Sequence, residues 1–365
     1  MVLVKVKSKK PRVVMAMSGG VDSTAAAVLL VKQGYDVVGV SMKLWPSEFC
    51  GVEKSKSCCS TRDIQDARQA AAKLGIPFYA IDLSKEFKKE VIDYFCDEYL
   101  AGRTPNPCIV CNEKIKFGRL LEKAKSLNAD FIATGHYAKA GYDKKRNRFV
   151  LKKSKDKNKD QSYVLFGLAQ HQLKHTLFPL EKLTKPQARQ VCRKMKLKAA
   201  DKPESQEICF IPDNNYAKFL IDKYAAKPVS GEIVSTSGEV IGKHQGLMFF
   251  TVGQRKGLGL GGNKNPLYVV DIDIKNNRLV VGSQKEAYKK TLFADNVNWI
   301  NAPRRSSFKT KAKIRYNHIP AEAVVCSAGE GVVRVDFKEP QFAITPGQAV
   351  VFYNGDEVLG GGWIR

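Results

Sequence analysis

The residues best suited to chemistry by type and spacing are residues 18–23, which read Ser-Gly-Gly-Val-Asp-Ser. They follow an apolar run, residues 13–17, that is typical of a buried strand, and they lead into a helical pattern that starts at Asp22. Two glycines between a strand and a helix let backbone N–H groups turn inward and form a nest for an anion at the positive end of the helix dipole. Ser18 and Ser23 add hydroxyl donors. Phosphate is the expected ligand, although no Gly-Lys-Ser/Thr follows as it does in a Walker loop.

The cysteines form the second group. Cys108 and Cys111 make a C-x-x-C within the rigid turn of residues 104–112, and Cys209 stands in the Ser-Gln-Glu-Ile-Cys-Phe stretch of residues 205–210. A structural zinc site normally has four ligands, and the sequence has no second C-x-x-C or paired histidines to complete one. We interpret three other cysteines as small buried apolar residues and assign no role to three more; the first set is Cys96, Cys192 and Cys326, and the second Cys50, Cys58 and Cys59.

Alternating strands and helices are predicted to position the loop. After the first helix, the patterns predict strands at 35–42, 78–81 and 131–134 and helices at 63–74, 87–100 and 183–196. This order indicates an α/β fold with a doubly wound parallel sheet covered by helices on both faces. Such sheets bind ligands at the carboxyl ends of their strands, where Ser18, Met42 and Gly135 would all lie.

The chain changes character at about residue 217. Residues 231–262 are rich in glycine, and short alternating runs from residue 267 onward predict an antiparallel β module, most simply a small barrel. We therefore expect three domains, at residues 1–216, 217–284 and 285–365. The basic segment 143–160 is either a solvated loop or hairpin, or an arm that contacts phosphates, because it leads directly into Lys159-Asp160-Gln161.

Composition indicates a polyanionic partner. The 61 Lys and Arg against 36 Asp and Glu give a formal net charge of +25 and a pI near 9.6. Residues 1–12 alternate Val with Lys and lack the apolar core of a secretory signal, and no apolar run is long enough to span a bilayer. Nine cysteines without such a signal suit reduced thiols, so we expect a cytoplasmic protein with no membrane partner.

Seven motifs taken together resemble those of the tRNA-specific 2-thiouridylases, in the ATP pyrophosphatase (PP-loop) superfamily. They lie at residues 18–23, 106–112, 133–138, 159–163, 205–210, 253–259 and 345–348, in order along nearly the whole chain. The resemblance implies an enzyme that thiolates the C-2 carbonyl of the wobble uridine in tRNAs for lysine, glutamate and glutamine.

The resemblance also implies the site residues. ATP would contact Ala16, Met17, Ser18, Gly19, Gly20, Val21, Asp22, Ser23, Met42 and Gly135. The target base would meet Asn106, Pro107 and Cys108, and further tRNA contacts would come from His136, Lys159, Asp160, Gln161, Arg315, Tyr316 and Gln348. Residue type alone suggests that Asp22 helps to hold Mg²⁺ near the phosphates. Without the family context, a capped strand end is the alternative interpretation of His136.

The implied chemistry transfers AMP to the uridine carbonyl oxygen and then replaces that oxygen with sulfur. In the family's usual description Cys209 bears a persulfide, and Cys111 attacks it, releasing sulfide or forming a Cys111–Cys209 disulfide. Many relatives carry aspartate where Cys108 stands. The substitution provides three thiols, Cys108, Cys111 and Cys209, which also suit a 4Fe–4S cluster with one open iron. Both routes stay open, as does the sulfur donor: a cysteine desulfurase, a sulfur carrier or free sulfide.

Two other functions are compatible with the loop. An ATP pyrophosphatase that activates a small-molecule carbonyl would need an ammonia source, and the sequence shows no glutaminase signature. A non-catalytic RNA-binding or iron–sulfur carrier protein would leave residues 18–23, Cys111 and Cys209 without a use. Pyrophosphate release that depends on tRNA separates the thiouridylase from both.

Overall fold

The computed structural model describes residues 10–46, 61–203, 208–211, 215–224, 226–261, 265–303 and 305–365. Cys50, Cys58 and Cys59 lie outside these residues, as do Gly262 and residues 205–207 of the Cys209 motif. The three unassigned cysteines therefore stay without a structural account.

The described helices are short, and two of them are extended by π-helical turns. They are α1 (Val21–Lys32), α2 (Thr61–Lys73), α3 (Ser84–Phe87), α4 (Asp93–Leu100), α5 (Pro107–Val110), α6 (Leu120–Ser126), α7 (Gln170–Lys174), α8 (Lys185–Lys194) and α9 (Tyr216–Tyr224). Two π-helical segments, Lys88–Ile92 and Cys111–Arg119, join α3 to α4 and α5 to α6. None of the helices in the described part of the chain has the length and apolar character that crossing a membrane requires.

The described strands fall into a parallel set near the N-terminus and largely antiparallel sets after it. They are β1 (Arg12–Ala16), β2 (Asp36–Lys43), β3 (Phe78–Asp82), β4 (Phe131–Ala133), β5 (Ala138–Asp143), β6 (Arg148–Lys153), β7 (Thr176–Leu177), β8 (Gly231–Ser235), β9 (Val240–His244), β10 (Tyr268–Asp273), β11 (Arg278–Gly282), β12 (Tyr288–Trp299), β13 (Ser307–Lys313), β14 (Ala321–Ser327), β15 (Val333–Phe342), β16 (Ala349–Asn354) and β17 (Glu357–Ile364).

The chain divides into two compact units. The first unit comprises Met1–Phe87, Asn112–Ser162 and Gln170–Phe210, and the second comprises Lys88–Cys111, Tyr163–Ala169 and Ile211–Arg365. Two short segments of the N-terminal half therefore belong with the C-terminal half, which no local sequence pattern indicates. The three-domain division at residues 216 and 284 stays a prediction.

The first unit contains the predicted parallel sheet. Its strand order is β3-β2-β1-β4-β7, and all of these pairings are parallel. β1 is central because it is apolar on both faces: Val13, Val14 and Met15 are fully buried. The order reverses at β1, with β2 on one side and β4 on the other. A reversal of this kind opens a crevice at the carboxyl ends of the central strands.

Helices α1 and α8 pack together in this unit. α1 begins at Val21 and buries Ala25 and Ala26, whose small side chains allow close approach to the sheet. Ala188 and Cys192 of α8 belong to the same core, and Cys192 Sγ lies 3.5 Å from the Val21 carbonyl oxygen. The first turn of α8 is thereby held near the first turn of α1. The basic segment 143–160 forms part of the β5–β6 hairpin, one of its two expected forms.

The second unit contains two β-sheets. Strands β8 to β11 are ordered β10-β11-β8-β9, with one parallel pair, β11 with β8. Strands β12 to β17 form an antiparallel barrel in the order β12-β15-β14-β13-β16-β17, closed by the pairing of β17 with β12. The predicted C-terminal barrel is confirmed. Its core includes Trp299 stacked on Phe352, with ring centroids 5.5 Å apart.

Candidate active site

The loop after β1 folds back on itself through its two serines. The Ser18 N–H donates to Ser23 Oγ over 3.1 Å, and Ser23 Oγ donates to the Gly20 carbonyl over 3.2 Å. Gly19 has a φ of +72°, in the left-handed region, and a Cβ there would lie 2.3 Å from the Asp63 carbonyl oxygen of α2. Glycine is required at position 19 by both the backbone conformation and this close approach.

The other residues predicted to bind nucleotide lie at the same edge of the sheet. Met42 is near the carboxyl end of β2, which runs beside β1 with the Met17 N–H donating to the Val40 carbonyl over 2.8 Å. Gly135 follows β4, and a Cβ on it would lie 2.6 Å from the Ser23 nitrogen. The first unit thus brings together residues 16–23, Met42 and Gly135.

This edge of the sheet fits the phosphate chain of ATP. The glycine turn and the amino end of α1 present N–H groups and partial positive charge to an anion. Ser18 is exposed at the surface of the loop. Thr24, in the first turn of α1, is fully buried, and its hydroxyl has no hydrogen-bond partner among the described residues.

Two side chains that hold Asp22 were not predicted from the sequence. Lys185 Nζ lies 2.7 Å from Asp22 Oδ2, and the Tyr137 hydroxyl donates to Asp22 Oδ1 over 2.8 Å. Lys185 and Tyr137 are 163 and 115 residues away in sequence. Locally, Lys185 stands between Thr184 and a proline at the start of a helix. This pattern is common on solvated helices, so it does not indicate a contact with Asp22.

Asp22 is also the residue expected to hold Mg²⁺. Both of its carboxylate oxygens are engaged, and the Lys185 ammonium would compete with a divalent cation for Oδ2. The arrangement does not fit a magnesium ligand at Asp22, so magnesium enters no step proposed below.

His136 lies inside the first unit, with 9% of its surface exposed. Its Nδ1 is 2.8 Å from Thr134 Oγ1, and its ring contacts Phe117 and Phe178 at centroid distances of 6.0 and 6.2 Å. Burial holds the pKa of this imidazole well below its ordinary value, and the positive charge of Lys116 lowers it further. His136 is therefore neutral at neutral pH. Its contact with tRNA stays a prediction.

We expect His136 to make the fold less stable in mild acid. The imidazole of the unfolded chain gains a proton as the pH falls through about 6.5, whereas the folded chain, with its lower pKa, does not. The contribution of His136 to the free energy of unfolding is therefore constant above about pH 6.5. It decreases as the pH falls below that value. Thermal unfolding midpoints at several pH values between about 7.5 and 5 measure the loss. In His136→Gln part of this pH dependence should disappear; an unchanged dependence contradicts the assignment.

The Lys159-Asp160-Gln161 segment is tied to Tyr137. The Gln161 N–H donates to the Tyr137 carbonyl over 2.8 Å, and the Tyr137 N–H donates to Gln161 Oε1 over 2.9 Å. Asp160 accepts a hydrogen bond from the Ser162 hydroxyl over 2.8 Å. Asp160 and Gln161 thus shape the segment, while Lys159 is partly exposed. Contacts of all three with tRNA stay predictions.

In the second unit, the turn of residues 345–348 holds the chain just before α5. Gln348 Nε2 donates to the carbonyls of Thr104 and Pro105 over 2.9 and 3.1 Å. Gly347 has a φ of +85°, and a Cβ there would lie 2.9 Å from both the nitrogen and the oxygen of Thr104. Gln348, a predicted tRNA contact, therefore positions the segment that is predicted to meet the base.

That segment begins α5. Asn106 caps the helix by accepting a hydrogen bond from the Ile109 N–H over 3.4 Å, and buried Pro107 is the first helical residue. Cys108 is exposed, whereas Cys111, three residues on, is 8% exposed. The two thiols of the C-x-x-C therefore meet different surroundings.

Arg315 serves the interior of the second unit. Its Nη2 donates to the carbonyls of Val252 and Ala343 over 2.9 and 3.1 Å and to the Thr345 hydroxyl. Burial lowers the pKa of this guanidinium from its ordinary value. Tyr316, the next residue, is 36% exposed. The contacts of Arg315 and Tyr316 with tRNA stay predictions. Tyr316 is the more exposed of the two residues.

Cys209 belongs to the first unit and Cys111 to the second. Cys209 is partly exposed, and the next residue, Phe210, anchors it by packing edge-on against Phe87 at a centroid distance of 5.8 Å. Within the described ranges, no group of three or more His, Cys, Asp or Glu side chains is placed to hold a metal ion. The 4Fe–4S cluster on Cys108, Cys111 and Cys209 therefore stays a prediction, and no step below uses one.

The remaining described cysteines are mostly inert. Burial raises the pKa of Cys96 to about 12 and that of Cys192 to about 11, and both are fully buried as expected. Cys326 differs from the expectation: it is partly exposed, and its thiol donates to Ser307 Oγ over 3.3 Å.

We expect alkylation to separate these thiols. Iodoacetamide at about pH 8 should modify exposed Cys108 early, whereas Cys96 and Cys192 should react only after unfolding, because reaction needs an accessible thiolate. Peptide mass spectrometry over a time course, with a urea-unfolded sample as the control, measures the order. Early labelling of Cys192 in the folded protein would show that the α1–α8 packing is wrong.

Comparison with known proteins agrees with this geometry. The family profile described as "tRNA methyl transferase HUP domain" matches residues 11–213, "tRNA methyl transferase PRC-barrel domain" matches 217–283, and "Aminomethyltransferase beta-barrel domain" matches 289–364. One solved structure, a 4-thiouridine synthetase–RNA complex with bound ATP, aligns with a TM-score of 0.34 at 16% identity over 56% of this chain and 46% of that chain. An alignment this weak adds nothing to the assignment.

The curated relatives are much closer. The tRNA-specific 2-thiouridylase MnmA of Symbiobacterium thermophilum is 51% identical over 97% of this chain and 92% of its own length. The corresponding proteins of Thermoanaerobacter sp. strain X514 and Carboxydothermus hydrogenoformans are each 50% identical, over 97% and 98% of this chain and 98% of their own lengths. A chain that shares half of its residues with these proteins along nearly its whole length belongs to their family, the tRNA-specific 2-thiouridylases.

Proposed function

We propose that this protein catalyses the ATP-dependent 2-thiolation of the wobble uridine in tRNAs for lysine, glutamate and glutamine. The observation that carries the proposal is the identity of about half the residues with tRNA-specific 2-thiouridylases over at least 97% of the chain. The phosphate-binding edge of the parallel sheet and the net charge of +25 support it, because the reaction needs both a nucleotide site and a polyanionic substrate.

The first step activates the C-2 carbonyl. Its oxygen attacks the α-phosphorus of ATP, the bond from that phosphorus to the bridging oxygen breaks, and pyrophosphate leaves with the electron pair. The uridine N3 proton passes to water. The inward N–H groups of residues 18–23 and the amino end of α1 face the developing charge on the phosphates. The C-2 oxygen, which must leave in the next step, is then bonded to AMP.

The second step delivers sulfur. A persulfide on Cys209 is attacked at its inner sulfur by the Cys111 thiolate, which forms a Cys111–Cys209 disulfide and releases hydrosulfide. Hydrosulfide adds to C-2, the C–O bond breaks, and AMP leaves with that electron pair. The sulfane sulfur is reduced by the two cysteines, so an external thiol must reduce the disulfide before the next turnover.

The tRNA and the sulfur donor are the two partners of this scheme. The base would lie at Asn106, Pro107 and Cys108, swung out of a single-stranded loop where unstacking costs least. A cysteine desulfurase or a sulfur carrier would load Cys209, and free sulfide would bypass it. We place the reaction in the cytoplasm, where tRNA is available and thiols stay reduced.

Nucleoside mass spectrometry tests the proposal. Purified protein is incubated with ATP, sulfide and unmodified tRNA, and 2-thiouridine and pyrophosphate are measured together. The proposal predicts both products only when tRNA is present. Pyrophosphate release without tRNA would favour a small-molecule acceptor, and tRNA binding without either product would favour a non-catalytic protein. Iron and acid-labile sulfide counting after anaerobic purification tests the cluster route separately.

A further inference from the structure

Helix α2 lies directly behind the loop of residues 18–23. The three atoms nearest to a Cβ built on Gly19 all belong to the backbone of Asp63, and the Asp63 carbonyl oxygen would lie 2.3 Å from that Cβ. Asp63 is the third residue of α2, so the contact falls in the first turn of the helix. The position of this turn therefore limits how the loop can be arranged.

A lysine from a distant part of the chain binds the same turn. Lys202 Nζ lies 2.8 Å from Asp63 Oδ1 and also pairs with Asp66 Oδ2, about one turn further along α2. The three side chains are between 17% and 24% exposed. Asp63 and Asp66 are three residues apart on one helix and repel each other, and the ammonium of Lys202 offsets this repulsion.

Lys202 is itself fixed through its backbone. Arg189 of α8 donates from Nη1 to the carbonyls of Ala200 and Lys202 over 2.6 and 3.0 Å. Ala200 is 2% exposed and lies in the same hydrophobic core as Ala67 and Ala71 of α2. Alanine side chains bury little apolar area, so they fix the position of α2 less firmly than large side chains would. The ion pairs of Lys202 add a second attachment, at the first turn.

The loop needs a fixed neighbour to bind phosphate well. Gly19 has a φ of +72°, a conformation that turns backbone N–H groups inward. A glycine can also leave this conformation easily, because it has no Cβ to restrict its backbone. A rigid turn of α2 against Gly19 removes that freedom before the nucleotide binds. Donors that are ordered in advance bind a ligand more tightly.

We propose that Lys202 is a positioning residue of the nucleotide loop. By binding Asp63 and Asp66, it holds the first turn of α2 against Gly19 and keeps the N–H groups of the loop directed at the phosphates. Lys202 acts through α2 and touches no reacting atom. The inference rests on the proposed function, because it requires that the loop binds ATP.

The first test compares nucleotides with and without phosphates. Lys202→Met keeps the length of the side chain and removes its charge. Calorimetric titration should show that the affinity for α,β-methylene-ATP falls about 10-fold, because the loop must then be ordered during binding, whereas adenosine should bind within about twofold of wild type. Lys202→Arg should recover most of the affinity, since a guanidinium can bind both carboxylates. The rate of tRNA-dependent pyrophosphate release should fall about 10-fold in Lys202→Met.

A double-mutant cycle with Gly19→Ala separates this role from general stabilisation. The added methyl group would press on the Asp63 carbonyl, and in wild type Lys202 keeps α2 from moving away. In Lys202→Met the helix can move, so the loss of affinity caused by Gly19→Ala should be at least about threefold smaller than in wild type. A lysine that only stabilised the fold would give losses that multiply. Should Gly19→Ala fail to fold, Gly19→Asn, which tolerates a positive φ, takes its place.

Lys73→Met is the matched control on the same helix. Lys73 is the last residue of α2, and its Nζ donates to the Lys196 carbonyl over 2.8 Å, so this variant removes a lysine contact at the other end of the helix. It should leave both nucleotide affinities unchanged and should not alter the effect of Gly19→Ala. Should Lys202→Met unfold, Asp66→Asn weakens the same ion pairs and takes its place.

The outcomes separate this inference from the function on which it rests. Unchanged binding of α,β-methylene-ATP in Lys202→Met, an equal loss for adenosine, or multiplying losses in the cycle overturns the role of Lys202. If wild type binds no α,β-methylene-ATP and releases no pyrophosphate with tRNA, the proposed function falls. The same cycle, measured as thermal unfolding midpoints, then still decides whether Lys202 holds α2 against Gly19.

Discussion

Replacing Cys111 or Cys209 with serine should reduce 2-thiouridine formation to background, a loss on the order of 10⁴-fold or more. Sulfur transfer needs a thiolate that can carry or attack a sulfane sulfur, and a hydroxyl can do neither at neutral pH. In the proposed mechanism, adenylation uses the loop of residues 18–23 and neither cysteine. Pyrophosphate release and tRNA affinity should therefore stay within about twofold of wild type. The sulfur donor in this test is a cysteine desulfurase with cysteine, because free sulfide would bypass Cys209. The measurements are nucleoside mass spectrometry, a pyrophosphate assay and filter binding on the same preparations.

Cys326→Ser is the matched control for these variants. Cys326 is partly exposed like Cys209, but it lies on β14 and bonds to Ser307, so its loss should leave all three readouts unchanged. Thiolation that survives in Cys111→Ser or Cys209→Ser removes that residue from the mechanism. A parallel loss of tRNA affinity would indicate a structural role instead.

Cys108 decides between the two sulfur routes that the sequence leaves open. The relay needs only Cys111 and Cys209, so Cys108→Asp, which restores the residue found in many relatives, should keep thiolation. A cluster would lose a ligand in this variant and would lose both iron and activity. Retained activity without iron supports the relay.

Gly135→Ala should reduce tRNA-dependent pyrophosphate release by about 100-fold. The added Cβ would lie 2.6 Å from the Ser23 nitrogen and 2.7 Å from the Asp22 carbonyl carbon, both of them backbone atoms that cannot rotate away. For the added Cβ to reach van der Waals distance, the turn after β4 and the loop of residues 18–23 must separate by roughly 1 Å. A shift of this size at a catalytic site lowers the rate by about two orders of magnitude. Steady-state pyrophosphate assays and ATP titration measure the effect.

Gly141→Ala controls for the substitution itself. Gly141 lies on β5 in the same unit, and a Cβ there would meet no atom within 4 Å. This variant should match wild type in rate and in thermal unfolding. If Gly135→Ala keeps both the rate and the ATP affinity, the turn after β4 does not contact the nucleotide site as we infer.

The parts of the fold that depend on neighbouring residues in the chain could be predicted from the sequence. The apolar run of β1, the glycines after it and the start of α1 were predicted because hydrophobic period and glycine position act within a few residues. The helix predicted at 183–196 appears as Lys185–Lys194, and the strand predicted at 131–134 as Phe131–Ala133. The parallel sheet followed from the alternation of such segments.

Pairings between distant residues could not be predicted in this way. Nothing in the chain near Asp22 indicates that Lys185 and Tyr137 hold it, or that Gln348 binds the carbonyls of Thr104 and Pro105. The sequence by itself determined the glycine loop between β1 and α1, the parallel sheet, the C-terminal barrel and the family, since each is carried by short patterns. Only the tertiary structure decided which charge stands beside the loop and which turn holds the segment that is predicted to meet the base, because those contacts join residues that packing, and not sequence proximity, brings together.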